Sequence, residues 1–295
     1  METPTYIVTK DLASTLVHRC GIGEVESNEG LRNRIAALEV SFIEKFATLV
    51  PKGKEMIILP IEEIADAVKL RIMSIPTGNK GMVVTLDPLF LKDADAILSI
   101  TRQMNPDTRI NKMGSRYGTP DVDEQIREIE MKLAARDRKA EGITLVDIGS
   151  FSGTTLKELV RMLKTRGIHV RAIILGLSSE KVKDTLRKAS EGIGVYVTHQ
   201  RDFFEWLELR DLFLIDGRNV PREYNNGENR GFIPYTENLA EWASIPDNNI
   251  QDCIRLCRRY NAELLTVLKE TGSDTSRIGV HIPLRGQSTR VRVGI

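Results

Sequence analysis

The residues best suited to chemistry lie between Asp147 and Thr155, where one carboxylate precedes a cluster of small polar residues. The cluster is Ser152-Gly153-Thr154-Thr155. Backbone N–H groups at such a bend, and at the start of a helix that follows it, bind phosphate well because the helix dipole is positive at that end. A nearby carboxylate accepts hydrogen bonds from sugar hydroxyls. The pattern therefore predicts a pocket for a ribose 5-phosphate.

The sequence on either side predicts the elements that position these groups. An apolar run from Ile143 to Val146 is typical of a buried parallel strand, and it ends on Asp147. After the bend, apolar residues recur on one helical face at Leu156, Leu159, Val160 and Leu163. Gly167 is a suitable end for this helix. We therefore expect a strand, a phosphate-binding loop and a helix in succession.

Residues 143–156 resemble the signature loop of the type I phosphoribosyltransferases. That family has four apolar residues, two acids, two variable apolar positions and then Thr-Thr-Gly-Gly-Thr-Leu. In an alignment without gaps, the first acid falls on Asp147, and Ile148 stands where the family has its second acid. The resemblance implies that Asp147 is catalytic and holds a ribose hydroxyl, directly or through Mg²⁺. It also implies that Ser152, Gly153, Thr154 and Thr155 bind the 5′-phosphate, and Gly149 and Ser150 are predicted to contact the substrate as well.

The family also closes a flexible loop over the diphosphate during the reaction. Here the polar residues 102–123 predict a long exposed loop, and loops of this length in a compact domain are usually functional or disordered. Arg116 is the best candidate in this loop for a second catalytic residue, because a planar guanidinium suits bidentate contact with phosphate.

The pyrophosphate-binding turn of the family is expected after the strand from Met56 to Leu59. This chain has Glu62 and Glu63 there. Two carboxylates disfavour an anionic ligand. This turn therefore argues against a diphosphate donor bound in the usual way and leaves room for a nucleotide or dinucleotide.

The alternation of strands and helices predicts an α/β fold with a parallel sheet flanked by helices. The resemblance makes this a phosphoribosyltransferase-like, Rossmann-like core with a C-terminal hood, which in the family selects the acceptor base. We expect an N-terminal helical segment over residues 1–54, the core over 55–216 and the hood over 217–295.

Four residues at the border of the hood and within it complete the predicted site. Asp216 and Arg218 follow the last predicted core strand, from Leu212 to Ile215, and could line the pocket. Phe232 and Tyr235 could stack on a base, which favours aromatic faces.

Composition limits the classes of partner. Forty-two basic and 41 acidic residues leave a formal net charge of +1, which gives no global electrostatic case for nucleic acid or an anionic membrane. No apolar run reaches the ~20 residues needed to span a bilayer. Three cysteines without framework spacing predict a reduced, cytoplasmic location. The four histidines show no metal-ligand spacing, so Mg²⁺ accompanying a diphosphate donor is the one cofactor expected.

The predicted chemistry is pentosyl transfer or N-glycosidic cleavage, which makes or breaks the bond at C1′ of a ribose 5-phosphate. An alternative is an effector that senses or depletes a nucleotide. Phosphoribosyltransferase-like proteins occur as effectors in bacterial antiphage cassettes such as retrons, where partner proteins and nucleic acid hold them. A small-molecule ligand and an oligomeric protein are expected in either case.

Two further interpretations remain open. Residues 146–149 also resemble the first motif of an S-adenosylmethionine-dependent methyltransferase. That motif requires glycine where this chain has Phe151, and an acid at the end of the next strand, where none occurs before Glu180. The other interpretation is an α/β core whose tight turn merely uses small residues.

Overall fold

The structure is a computed structural model of the 295-residue chain. It describes residues 5–18, 20–76, 81–104, 111–116, 119–135, 142–189, 192–202, 204–213, 218–220, 230–232 and 239–275. For residues 102–104, 111–112, 218–220, 230–232 and 241–242 it describes the backbone. The chain divides into two compact units. Unit 1 comprises residues 1–60, 104–110 and 204–295, and unit 2 comprises residues 61–103 and 111–203.

Unit 1 is built on a three-stranded parallel sheet whose central strand comes from the N-terminus. β1 (Thr5–Lys10) pairs on one side with β2 (Glu55–Pro60) and on the other with β10 (Phe204–Glu208). β1 is buried along nearly its whole length, as its apolar residues predict for a central parallel strand.

Helices complete the core of unit 1. They are α1 (Leu12–His18), α2 (Glu24–Ser27), α3 (Glu29–Phe46), α8 (Leu239–Trp242) and α9 (Ile250–Glu270), with 3₁₀ turns at Leu209–Leu212 and Asp247–Asn249. The Asn28 side chain accepts from Leu31 N at 3.0 Å and starts α3. α9 packs against α3, and Phe42 of α3 lies 5.3 Å from Tyr260 of α9 between ring centroids. The buried apolar faces of these two helices therefore share one core with β1.

Unit 2 is built on a five-stranded sheet whose paired strands all run parallel. The strand order is β4-β3-β7-β8-β9. The strands are β3 (Met82–Thr85), β4 (Ala96–Ile97), β7 (Ile143–Ser150), β8 (Val170–Ser178) and β9 (Gly194–Gln200). This sheet and its helices confirm the predicted α/β fold.

The sheet of unit 2 carries helices on both faces. They are α4 (Ile61–Ser74), α5 (Val122–Ala135), α6 (Thr154–Thr165) and α7 (Glu180–Ala189). The last three share one hydrophobic cluster with alternate strand residues such as Leu145 and Leu175. α4 covers the other face, where a Cβ on Gly176 would lie only 2.2 Å from Ile64 Cγ2. Glycine in β8 therefore permits the close approach of α4.

Two short strand pairs lie outside these sheets. β5 (Ile100–Met104) pairs with β6 (Asn111–Ser115), so strands occupy part of the segment predicted as an exposed loop. β11 (Arg218–Val220) pairs antiparallel with β12 (Arg230–Phe232).

The structure divides the chain differently from the predicted segments. Residues 1–54, predicted as helical, also contain β1, the central strand of unit 1. β2, predicted for the α/β core, pairs with β1 in the sheet of unit 1. The strand predicted from Leu212 to Ile215 lies partly outside the described residues, and its first residue, Leu212, ends a 3₁₀ turn. The strand β10, which precedes this turn, was not predicted. Strand pairing between distant segments causes these differences, and local sequence patterns carry no information about it.

Candidate functional site

The predicted site lies where the strand order of unit 2 reverses. From β3 the chain adds β4 on one side and later β7 on the other, so the reversal falls between β3 and β7. Open α/β sheets bind ligands outside the carboxyl ends of the strands at such a point. The ladder between the two strands ends where Leu86 N donates to Val146 O at 2.8 Å. The pairing of the two strands therefore ends one residue before Asp147.

Asp147 lies within β7 and not at its end, because β7 continues to Ser150 against β8. Its side chain is half-buried, and Oδ1 accepts from Ile148 N at 2.9 Å. Alternation along the strand places Asp147 on the same face as Leu145, which is the face that α6 covers. Ile148 points to the opposite face and is 3% exposed. The residue in place of the second acid is therefore a core residue.

The predicted phosphate-binding loop forms a tight bend between β7 and α6. Ser150 Oγ accepts from Gly153 N at 3.0 Å and closes the bend. Ser152 and Thr154 are exposed, and their hydroxyls lie 3.0 Å apart. Ser152 Oγ also accepts from Thr154 N at 3.3 Å. The loop thus gathers two hydroxyls and a series of amides at the start of α6.

The N-cap residue of α6 is Gly153, which has no side chain that could accept from the following amides. The first of these amides, Thr154 N, donates instead to Ser152 Oγ of the preceding loop. Gly153 has a φ of 73°, in the left-handed region that favours glycine. A Cβ there would lie 3.1 Å from Leu186 Cδ2 of α7. The positive end of the α6 dipole therefore lies at a loop of small polar residues, a setting that is favourable for an anion.

Arg116 lies beside β3 and is held in an ion pair. Its Nη2 donates to Oδ2 of Asp87 at 3.2 Å, and the Asp87 side chain is 1% exposed. The Arg116 backbone is also fixed, because N donates to Ser99 O at 3.0 Å and O accepts from Thr119 N at 3.1 Å. The structure thus places Arg116 at the end of β3, the strand that pairs with β7, and gives it the buried carboxylate of Asp87 as its partner.

Sequence reasoning missed Asp87. It follows the apolar strand β3 directly and precedes Pro88. An acid in this position was a usable signal, because residues just beyond the carboxyl end of a parallel strand lie at the ligand-binding edge of the sheet.

Glu62 and Glu63 do not form a turn at this edge. They are exposed residues in the first turn of α4, where the helix dipole favours carboxylates. Glu63 Oε1 lies 3.6 Å from His199 Nε2. The turn next to the β7 loop is instead the one that follows β3.

The other four predicted site residues belong to the part of the chain that forms unit 1. Asp216 and Tyr235 lie outside the described residues. Arg218 and Phe232 pair through their backbones in the β11–β12 ladder of unit 1, and their side chains are outside the described set. Their predicted contacts with a ligand stay predictions.

The end of β8 offers no carboxylate to a nucleoside. β8 ends at Ser178, whose hydroxyl donates to Ser150 O at 2.8 Å. The next acid, Glu180, begins α7 and pairs with Lys183 Nζ at 2.9 Å. This arrangement fits the methyltransferase pattern poorly.

Unit 1 has a reversal of strand order of its own, between β1 and β10. Asp11 directly follows β1, and its Oδ1 accepts from Arg210 N at 3.0 Å. Arg210 Nε lies 3.3 Å from Asp11 Oδ2, and both side chains are fully buried. Arg210 also forms an ion pair with Glu208 at the end of β10. A guanidinium of the chain itself therefore fills this edge.

The buried carboxylate of Asp11 titrates abnormally. Burial raises its pKa well above the usual range, and the negative charges of Glu208 and Asp211 act in the same direction. Arg210 opposes this shift without cancelling it.

The start of α1 is capped by a carboxylate of the chain itself. Glu39 Oε1, from α3, accepts from Leu12 N at 3.1 Å.

Among the described residues, no three His, Cys, Asp or Glu side chains come together in an arrangement that would hold a metal ion. Within the same residues, no helix combines the length and apolar character of a membrane span.

A scan against protein-family models finds none that matches this chain, and a search of curated proteins finds no matching relative.

Proposed function

We propose that unit 2 binds the ribose 5-phosphate part of a phosphoribosyl compound and makes or breaks the bond at C1′. The observation that carries this proposal is the position of Asp147 beside the glycine-capped start of α6. Both lie on one face of the sheet at the reversal of strand order. A carboxylate suits sugar hydroxyls, and a helix start suits a phosphate.

In this proposal the α6 amides and the hydroxyls of Ser152 and Thr154 hold the 5′-phosphate. Hydrogen bonds to a charged group of this kind are about twice as strong as neutral ones. Asp147 then orients the ribose through its 2′- or 3′-hydroxyl. The reaction at C1′ develops positive charge on the sugar, as glycoside cleavage does. A fixed carboxylate next to the ring favours this charge, and a fixed phosphate aligns the ring for attack.

Mg²⁺ belongs to this proposal only together with a diphosphate ligand. Ile148 supplies no metal ligand, and both Asp87 carboxylate oxygens already accept hydrogen bonds from Leu89 N and Arg116. The chain's own residues at this edge therefore fit a protein-held metal poorly.

The phosphoribosyltransferase-like identity, the hood over residues 217–295 and the defence-effector alternative stay predictions. Protein partners, nucleic acid and an oligomer belong to the same predictions. The loop geometry supports phosphate binding, whichever of these roles the protein has.

Isothermal titration with ribose 5-phosphate tests the proposal directly. We expect binding by the wild type and at least about tenfold weaker binding by Asp147→Asn, because a hydrogen bond to a charged group contributes about 1.5–3 kcal/mol. Asp184→Asn is the matched control, since Asp184 lies on the exposed surface of α7 and pairs with Arg187. Equal affinity of Asp147→Asn and wild type would contradict the proposed sugar contact.

A second variant tests the phosphate contact separately. Ser152→Ala removes an exposed hydroxyl at the loop and should weaken ribose 5-phosphate binding while leaving the affinity for free ribose unchanged. Similar losses for both ligands would place the phosphate elsewhere.

A further inference from the structure

The hydrogen-bond donors and the charge of the turn after β3 limit which ligand can bind next to Asp147. In the proposed function the 5′-phosphate lies at the start of α6 and the ribose lies over Asp147, and we place the C1′ substituent on the side of β3, the strand that pairs with β7 there. A diphosphate at C1′ would then need hydrogen-bond donors and positive charge from residues 86–90. The hydrogen bonds of this turn are therefore informative about the substrate.

Each backbone N–H of residues 86–90, all of them described, is already used or absent. Leu86 N donates to Val146 O at 2.8 Å, and Asp87 N donates to Thr85 Oγ1 at 3.3 Å. Pro88 has no N–H. Leu89 N donates to Asp87 Oδ1 at 3.0 Å, and Phe90 N donates to Asp87 O at 3.3 Å. The start of α6 differs from this turn, because its N-cap residue is a glycine and its first amide, Thr154 N, is bonded only to the exposed hydroxyl of Ser152 among the described residues.

The charge of the turn is also unfavourable for a second anion. The Asp87 carboxylate is buried, and Arg116 lies 3.2 Å from it. The guanidinium charge is therefore offset by a fixed carboxylate in a setting with little water, where electrostatic interactions are strong. A diphosphate approaching Arg116 would meet a neutral pair and not an isolated cation.

We propose that this site takes a ribose carrying a single 5′-phosphate and no diphosphate at C1′, such as ribose 5-phosphate or a nucleoside 5′-monophosphate. This inference rests on the proposed function. In the sequence, Glu62 and Glu63 also favoured a nucleotide over a diphosphate donor. The structure supports the same class of ligand through Asp87 and the turn of residues 86–90, whose N–H groups are already used. The protein then breaks the C1′–N bond of a nucleoside 5′-monophosphate. Water adds to C1′ to give ribose 5-phosphate, and the base leaves with a proton from that water.

Titration calorimetry in the presence of Mg²⁺ tests the inference on the wild-type protein. The ligands are ribose 5-phosphate, adenosine 5′-monophosphate and 5-phosphoribosyl 1-diphosphate. We expect the diphosphate to bind no more tightly than ribose 5-phosphate. An affinity at least about tenfold higher for the diphosphate would overturn the inference. No binding of any of the three would instead contradict the proposed function.

Asp87→Asn sharpens this test. The amide keeps the shape of the side chain and can still accept from Leu89 N, but it removes the charge that offsets Arg116. We expect the diphosphate to gain about tenfold in affinity relative to ribose 5-phosphate. Asp93→Asn makes the same charge change at an exposed position of the same segment and should leave this ratio unchanged. An unchanged ratio in both variants would count against the role of Asp87.

Discussion

The two units end their parallel sheets in opposite ways at the point where strand order reverses. In unit 1, Arg210 fills the edge between β1 and β10 and pairs with Asp11 and Glu208. In unit 2, the edge between β3 and β7 carries a half-buried Asp147 and a loop with exposed hydroxyls.

The helix that follows each central strand shows the same contrast. Leu12 N, at the start of α1, donates to the buried carboxylate of Glu39, so the chain supplies the anion itself. The start of α6 has a glycine as its N-cap and a neutral hydroxyl, Ser152 Oγ, bonded to Thr154 N, so no carboxylate of the chain accepts there among the described residues. A helix dipole at a sheet edge thus marks a ligand site only where no carboxylate of the protein already occupies it.

The largest expected effect comes from removing the guanidinium of Arg210 from the edge between β1 and β10. Arg210→Met should lower the free energy of unfolding by about 3–5 kcal/mol, because it removes the buried guanidinium that contacts Asp11 and pairs with the partly buried Glu208. Urea unfolding followed by tryptophan fluorescence measures this, since Trp206 and Trp242 both belong to unit 1.

The matched control for this variant is Arg259→Met. Arg259 pairs with Glu263 on the exposed surface of α9, and its removal should not measurably change the midpoint. Similar midpoints for Arg210→Met and Arg259→Met would mean that the buried cluster contributes little to unit 1.

The second prediction concerns the shape of the loop between β7 and α6. Gly153→Ala should cost about 1–2 kcal/mol of stability from the left-handed backbone alone. It should cost more in total, because the new methyl group would lie 3.1 Å from Leu186. Hydrogen exchange of the α6 peptide measures the effect.

Gly167→Ala is the matched control for this position. Gly167 also has a φ of 73°, but a Cβ there would meet no heavy atom within 4 Å. We expect faster α6 exchange and weaker ribose 5-phosphate binding in the Gly153 variant than in the Gly167 variant. Identical behaviour of the two variants would show that the contact with α7 does not shape the loop.

The third prediction uses the titration of Asp11, which lies at the edge between β1 and β10. The pKa of Asp11 is raised in the folded state, so the native protein keeps a proton that the unfolded chain loses above pH ~4. This contribution to stability is complete below pH ~4 and is lost as the pH rises through the folded-state pKa, with a slope of up to ~1.4 kcal/mol per pH unit.

Unfolding midpoints of wild type and Asp11→Asn between pH 4 and pH 8 measure this contribution as a difference. We expect the stability of the wild type to fall more steeply with rising pH than that of the variant. Parallel curves would contradict a raised pKa at Asp11.

The smallest expected effect comes from placing a carboxylate at the start of α6, as Glu39 supplies one at the start of α1 in unit 1. Ser152→Asp should stabilise α6 by about 0.3–1 kcal/mol through the helix dipole. The same carboxylate should repel phosphate and weaken ribose 5-phosphate binding. The neutral variant Ser152→Asn separates charge from size, and equal binding by the two variants would remove charge as the reason.

Several elements of unit 2 were predictable because their signals are local. The apolar run before Asp147, the small residues of the bend and the apolar spacing after it predicted β7, the loop and α6 in the right order. The strand β7 is longer than its apolar run, because pairing with β8 continues through Gly149 and Ser150. Gly153 was predicted as a loop residue, but its contact with Leu186 became visible only once α7 was packed against it.

The amino-acid sequence by itself determined the α/β class, most of the helices and the strand–loop–helix unit, because hydrophobic periodicity and turn chemistry act over a few residues. Tertiary structure alone decided that β2 joins β1, that Arg116 meets Asp87, and that Arg210 reaches Asp11 across 199 residues of chain. These pairings depend on which distant surfaces bury each other and neutralise each other's charge, and no local pattern encodes that choice.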